Sequence, residues 1–282
     1  MISVAMTTYN GAEYIEQQLL SILQQTHPVD EIIICDDGSK DNTVDIIKDI
    51  IQKNKVNNIR LISNDVNLGY IRNFYKAVSL TNGDYIFLAD QDDIWHLDKI
   101  EKTLAVMKET KAAAVCTKSN LIDKYGYPVK EDYIVSVFLS LLTERLKRIS
   151  FFDLVIENVA QGCTYCFTKE VKEWYMKVNS TNLIHDHQIL FIASLLGEVY
   201  AYNEELIDYR LHGANSAGLQ KSDKDLPIEF KKPKKVPSRV LFLRDLKSVR
   251  RVPCYMFYAV LYYLRIPYFV SVIRRRNLGR KN

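Results

Sequence analysis

The sequence predicts an α/β protein: a Rossmann-like, mostly parallel mixed sheet flanked by helices. Three observations carry this. Short apolar runs rich in β-branched and aromatic residues alternate with longer amphipathic stretches through residues 2–116, and repeated β-α-β units with short connections build doubly wound sheets. Each of the first four apolar runs leads into a polar cluster, and in such a sheet ligands bind beyond the carboxyl ends of the strands. At 282 residues, with 48% hydrophobic and 26% charged side chains, the chain can bury the core of one large domain, or of one domain plus an appendage.

Taken in order, residues 2–6 form a strand, and residues 11–25 a helix with Tyr14, Ile15, Leu19, Ile22 and Leu23 at helical spacing. A second strand covers 31–35. A helix over 41–54 puts Val44, Ile47, Ile50 and Ile51 on one face. A strand at 59–63, a helix at 70–80 and a strand at 85–88 follow, then a helix at 97–110 and a strand at 112–116. The second half is less regular: turn and loop at 123–132, a helix over 134–148, a strand over 159–167, helices at 170–178 and 188–196, and a strand at 199–202.

The four polar clusters are Thr7-Thr8-Tyr9-Asn10, Asp36-Asp37-Gly38-Ser39, Asn64-Asp65-Val66-Asn67-Leu68-Gly69 and Asp90-Gln91-Asp92-Asp93. One such cluster is ordinary turn chemistry; four at one sheet edge point to a site. The last is the most informative. Three carboxylates within four residues repel one another unless a cation neutralises them. Hard oxygen ligands select Mg²⁺ or Mn²⁺, which commonly share their coordination with substrate phosphates.

Five cysteines at irregular spacing do not suggest a disulfide framework. Cys163 and Cys166 form a lone C-x-x-C, better read as buried core than as a zinc site, and the cysteine usage fits a reducing compartment. The start of the chain, Met1-Ile2-Ser3-Val4-Ala5-Met6, reads as a first strand and not as a secretory signal. Net charge is +4, yet residues 231–282 carry fifteen Lys/Arg against the single acid Asp245, leaving residues 1–230 at −10. An acidic body is a poor nucleic-acid surface.

With these pieces in hand, the sequence resembles family 2 glycosyltransferases, inverting nucleotide-sugar enzymes of the GT-A fold. The resemblance rests on Val4-Ala5-Met6-Thr7-Thr8-Tyr9-Asn10, Ile34-Cys35-Asp36-Asp37-Gly38-Ser39, Asn67-Leu68-Gly69, Gly83-Asp84-Tyr85-Ile86-Phe87-Leu88, Asp90-Gln91-Asp92-Asp93 and His185-Asp186, in that order, and covers about residues 1–215. Asp-Gln-Asp-Asp-Ile-Trp and Tyr209-Arg210-Leu211-His212-Gly213 look most like bacterial rhamnosyltransferase-type enzymes of surface polysaccharide assembly.

The resemblance implies a UDP- or dTDP-sugar donor and a glycan acceptor, lipid-linked in one reading. Tyr9 would stack on the base, between Thr8 and Asn10, and Asp37 would accept the base imide N–H. Thr8, Asn10, Asn67, Gly69 and Gln91 join the nucleotide-sugar site. Asp36-Asp37 also reads as a turn before a helix, and the two readings are compatible. Asp92 would be the main ligand of Mn²⁺ or Mg²⁺, with Asp90 on ribose or metal-bound water. Asp93 is open, with capping of the next helix as one role, and Trp95 reads as packing. Asp186 would be the general base, with a plain helix cap as the alternative. His185 stands where the family pattern often has an acid, and a His185-x-His187 metal site is the lesser reading. His212 reads as a phosphate or metal contact or a surface histidine, and Arg72 as a phosphate or ribose contact or a surface ion pair.

Residues 1–120 would then form the nucleotide-sugar-binding half, residues 121–218 the acceptor-binding and catalytic half, and residues 219–282 a basic, apolar, helical C-terminal extension. In the extension, Lys231-Lys232-Pro233-Lys234-Lys235 precedes an apolar stretch at 252–273 flanked by Arg250-Arg251 and Arg274-Arg275-Arg276. Arg265 and Pro267 argue against a stable membrane span. An interfacial segment on anionic lipid fits better, placing the chain in the cytoplasm on the inner face of the membrane; packing on the catalytic domain and a homo-oligomer contact are the alternatives. Rival activities are a sugar nucleotidyltransferase and a non-catalytic nucleotide-sugar-binding protein. The first lacks the expected Gly-rich basic loop after strand one. A dinucleotide-binding dehydrogenase is disfavoured because no G-x-G-x-x-G follows that strand.

Overall fold

The computed structural model describes residues 1–129, 133–134, 136–212, 220–221, 238–249 and 270. Its strands are β1 (Ile2–Thr8), β2 (Glu31–Asp36), β3 (Ile59–Ser63), β4 (Tyr85–Ala89), β5 (Ile94–Trp95), β6 (Ala114–Ile122), β7 (Tyr133–Ile134), β8 (Leu146–Arg148), β9 (Tyr165–Thr168), β10 (Val199–Arg210) and β11 (Gln220–Lys221). The helices are α1 (Ile15–Leu23), α2 (Thr43–Lys53), α3 (Tyr70–Leu80), α4 (Lys99–Thr110), α5 (Val137–Ser140), α6 (Phe151–Ile156), α7 (Lys169–Val178), α8 (His185–Leu196) and α9 (Ser238–Val249).

Among the described residues, nine strands form one sheet in the order β3-β2-β1-β4-β9-β6-β10-β5, with β8 also paired to β10. β1 to β4, β6 and β10 run one way, and β5, β8 and β9 run against them. The mostly parallel mixed sheet expected from the sequence is therefore the architecture found. β7 and β11 make a separate two-stranded ribbon.

Strand alternation puts a core on each face of the sheet. On one face, Val4 and Met6 of β1 pack with Ile15 and Leu19 of α1, Ile47 of α2 and Leu104 of α4. On the other, Ala5 and Ile33 pack with Phe74 of α3, Tyr175 of α7 and Leu190 of α8. α9 adds Phe242, Leu243 and Leu246, all fully buried, to this second core. That stretch of the C-terminal extension packs on the domain. Its Asp245 Oδ2 accepts hydrogen bonds from Ser180 Oγ at 2.7 Å and Asn182 Nδ2 at 2.6 Å, in the segment leading to α8. The expectations for 231–235 and for the interfacial stretch at 252–273 fall outside the described residues, Val270 apart. No helix among the described residues is long and apolar enough to cross a membrane.

The departures from expectation cluster in the second half. The helix expected over 134–148 is only α5, capped by Ser136 Oγ accepting from Leu139 N; beyond it the chain turns and enters the sheet as β8, antiparallel to β10. Tertiary pairing outweighs helical propensity there. The strand expected over 159–167 is shortened to β9 by a 3₁₀ turn at Gly162–Thr164. β10 runs eight residues past its expected end at 202, with register shifts at Tyr202/Glu205 and Glu205/Asp208. Bulges of this kind let a polar run such as Asn203-Glu204-Glu205 stay in a strand. β5 was not anticipated, and α8 starts at His185, three residues earlier than expected.

Candidate active site

The carboxyl ends of β1, β2 and β4 and the loop after β3 open on one edge of the sheet, where a cleft of about 890 Å³ forms. Thr8, Tyr9, Asn10, Asp37, Asn67, Gly69, Asp90, Gln91, Asp92, Asp186 and His212 all line it. Eleven of the twelve site residues singled out in the sequence thus meet in one cavity. Arg72 does not line it: its Nη1 donates to Asn179 Oδ1 at 2.6 Å, because α3 turns that face toward the end of α7.

The base-stacking candidate Tyr9 is half exposed on the rim. Its backbone is clamped by Gln91, whose Oε1 accepts from Tyr9 N at 2.7 Å while Nε2 donates to Tyr9 O at 3.1 Å. Asn10 adopts φ +50°; its N–H donates to Ser39 Oγ at 2.9 Å and its Oδ1 accepts from Lys40 N at 2.8 Å. β1 and β2 are thereby tied together beyond the sheet. Asp36 is buried and accepts from Thr8 Oγ1, Ser39 Oγ, Ser39 N and Gly38 N. Asp37 Oδ1 accepts from Asn64 Nδ2 and Leu68 N, both at 2.8 Å, and Oδ2 from Gly69 N at 2.9 Å. These bonds fold the Asn67-Leu68-Gly69 loop onto β2. Gly69 takes φ +75° immediately before α3, a conformation that L side chains resist.

The acidic loop is built differently. Asp90 and Asp93 have carboxyls raised above the usual range, first by burial and then by the neighbouring carboxylates. Asp93 Oδ1 accepts from Arg210 N at 3.1 Å, but Oδ2 has no partner among the described residues. Asp93 does not cap α4, whose N-cap is Asp98. Lys99 lies fully buried nearby, its Nζ donating to Cys163 O at 2.9 Å and standing 4.7 Å from the Trp95 ring centre. Burial brings its ammonium down to about 8. Trp95 itself is 2% exposed, in line with a packing role.

Asp92 Oδ2 lies 2.7 Å from His212 Nε2, and the two side chains are 15% and 14% exposed. The Asp92 hydrogen bond raises the His212 pKa. Carboxylate oxygen and imidazole facing a cleft form a donor set that suits a divalent cation. Asp90, Asp93 and Cys163 also bring ligand atoms within 4.8 Å of one another. Burial pushes the Cys163 thiol well up, so a metal there would have to displace its proton; Asp90, Asp92 and His212 line the cleft together.

Across the cleft, Asp186 is the second residue of α8 and lies in its first turn; the helix N-cap is Ile184, without a side-chain cap. Burial raises the Asp186 carboxyl to about 6. Its Oδ2 accepts from Asn158 Nδ2 at 3.0 Å and its Oδ1 from His187 N at 2.6 Å. The flanking histidines diverge: His187 Nε2 lies 2.7 Å from Leu154 O and stacks on Phe191, whereas His185 stacks on Phe74 with ring centres 3.9 Å apart. They do not share a metal site.

Several organising residues escaped the sequence reading. Arg210 is 2% exposed. Its Nε donates to Asp92 O at 2.7 Å, Nη1 to Asp123 O and Lys124 O, and Nη2 to Gln17 Oε1 at 2.8 Å. One guanidinium therefore stitches the acidic loop to α1 and to the turn after β6. Gln18, fully buried, donates to Asp90 O at 3.0 Å. An arginine inside a strand-like run was the available signal for Arg210; nothing marked Gln18, Asn158 or Gln161.

An acidic loop and a buried carboxylate thus line one cleft at the carboxyl edge of the sheet. The pattern described as Glycosyl transferase family 2 matches residues 3–168, and the chain belongs to that family. Among its relatives, dTDP-rhamnosyl transferase RfbG of Shigella flexneri is 32% identical over 231 residues, covering 78% of this chain and 75% of the relative. TarS of S. aureus, solved with UDP-GlcNAc, superposes with TM-score 0.62 at 18% identity over 77% of this chain and 61% of the TarS chain. Mannosyltransferase PcManGT of Pyrobaculum calidifontis, solved with GDP-Man and Mn²⁺, gives TM-score 0.55 at 16% identity, covering 98% of this chain and 69% of its own.

Proposed function

We propose that this glycosyltransferase inverts the anomeric centre of a UDP- or dTDP-sugar, rhamnose among the candidates, as it transfers the sugar to a hydroxyl of a growing cell-surface glycan. One observation carries the reading: a buried carboxylate with a raised pKa, Asp186, faces the same cleft as the Asp90-Gln91-Asp92-Asp93 loop. In the transfer, a bond forms between the acceptor oxygen and the anomeric carbon as the bond to the diphosphate breaks. The acceptor proton passes to Asp186. Asn158 and the His187 N–H hold the Asp186 carboxylate in place. Tyr9 offers a face for the base and Asp37 an acceptor for uracil or thymine N–H; Asn67 and Gly69 close the loop around it. Asp92 and His212, with Asp90, would hold Mn²⁺ or Mg²⁺, which when bound neutralises the diphosphate.

In this account residues 1–120 bind the donor and residues 121–218 supply acceptor contacts and the base. The +14 charge of residues 231–282 supports a peripheral position on the inner membrane face, where a lipid-linked acceptor would lie. The kinship with RfbG supports a dTDP-sugar donor. The test is a transfer assay with Mn²⁺, a panel of UDP- and dTDP-sugars and lipid-linked glycan acceptors. Release of nucleoside diphosphate coupled to product is expected; pyrophosphate release from a nucleoside triphosphate, or no turnover with any donor, rejects the reading.

A further inference from the structure

Polar atoms of two side chains on the cleft wall beside Asp186 reach no hydrogen-bond partner among the described residues. Both amide atoms of Gln161 are buried and unpaired, and so is Nδ1 of His185. Both residues line the cleft. Leaving a buried polar group unpaired is costly, so two of them in one corner of a ligand cleft mark missing contacts. Gly162, next in the chain to Gln161, lets the backbone pass close to His185 and Asp186. A Cβ at position 162 would stand 3.1 Å from His185 Nε2, 3.2 Å from Asp186 Cβ and 3.6 Å from Leu88 Cδ1. The corner therefore sits between β4, which leads into the acidic loop, and the base. If Asp186 is the base, an in-line displacement would put the transferred sugar there, between the leaving diphosphate and the acceptor.

The chemistry of the corner is neutral. His185 is 8% exposed and stacked on Phe74, with Tyr70 edge-on at 6.3 Å between ring centres. Burial holds its pKa near 3, so the ring is uncharged at physiological pH. A neutral imidazole and a carboxamide each both donate and accept, as a sugar hydroxyl does. A carboxylate-bearing sugar would instead meet the Asp186 carboxylate. We propose that Gln161 and His185 read the hydroxyls of the transferred sugar and select a neutral hexose or deoxyhexose. This rests on the glycosyltransferase reading above.

Titration calorimetry in Mn²⁺ with UDP, dTDP, UDP-glucose, dTDP-rhamnose and UDP-glucuronate separates the possibilities. Wild type should bind one of the neutral nucleotide sugars more tightly than the glucuronate. Gln161→Ala and His185→Phe should weaken that neutral sugar by about tenfold, the size of one or two lost hydrogen bonds, with UDP and dTDP affinity kept within about twofold. His185→Asn should lose less than His185→Phe. Retained nucleotide binding reports that each variant is folded. If packing on Phe74 were the role, the order would reverse, with His185→Phe close to wild type. That order, unchanged nucleotide-sugar affinity in both Gln161→Ala and His185→Phe, or equal loss for free nucleotide overturns the assignment. Wild type binding no nucleotide sugar at all overturns this inference and the parent reading together.

Discussion

β2 and β4 flank β1 on either side, and each leads into an aspartate doublet, Asp36-Asp37 and Asp92-Asp93. The two doublets are built in opposite ways. Asp36 and Asp37 are surrounded by donors from their own and neighbouring loops, and every carboxylate oxygen has a partner. The second doublet, with Asp90, is crowded by like charges; Asp90 and Asp93 are raised, and Asp93 Oδ2 has no hydrogen-bond partner among the described residues. A carboxylate whose lone pairs are filled by the fold shapes a binding loop. A carboxylate crowded by other carboxylates is stabilised by any nearby positive charge. The same dipeptide at the same sheet edge is therefore satisfied by the fold in one case and crowded by like charge in the other.

This contrast can be broken at several points. The largest effect is expected at the carboxylate that belongs to neither doublet. Asp186→Asn should lower kcat by on the order of 10²–10⁴ with donor affinity retained, as read by turnover and calorimetry. The base works only when ionised, so with its pKa near 6 the wild-type rate should rise with pH up to about 6 and level off above it. A flat profile between pH 5 and 7 removes Asp186 from the role. Next, Asp92→Asn should weaken Mn²⁺ by at least the roughly 10–100-fold that loss of an outer-shell partner alone produces, and donor binding should weaken with it. Asp36→Ala strands several buried donors and should cost about 2–4 kcal/mol of stability, visible as a drop in Tm, while the response to Mn²⁺ persists. The smallest effect belongs to Arg72→Ala: the exposed bond to Asn179 is worth under about 1 kcal/mol, and donor KM should move less than about twofold. A fivefold rise would bring Arg72 back to the donor.

The first half of the chain was legible because its elements obey local rules. The 3.6 and 2.0 periodicities of residues 2–116 locate α2, α3 and β1 to β4 within a few residues, and the parallel topology then gathers their polar ends. The second half is written in long-range contacts. β8 is a strand because β10 lies beside it. β10 continues through Asn203-Glu204-Glu205 because bulges absorb them, and α5 is cut short by the same pairing. The site divides similarly. Residue types with evident chemistry, such as Asp92, Asp186 and His212, could be singled out, and eleven of the twelve meet in the cleft. Arg72 went astray because helix position alone does not say which neighbour a long side chain meets. Arg210 and Gln18 escaped because their role is to hold backbone carbonyls, and Gln161 because an orphaned amide shows only once the cleft is built.

The most direct test of the contrast is the Mn²⁺ dependence of Tm in wild type, Asp36→Ala and Asp92→Asn, each measured with and without UDP. The account predicts that Asp36→Ala unfolds at lower temperature yet keeps the full Mn²⁺-induced rise, whereas Asp92→Asn loses most of that rise. If the rise vanishes in Asp36→Ala and survives in Asp92→Asn, the two doublets have been assigned the wrong way round.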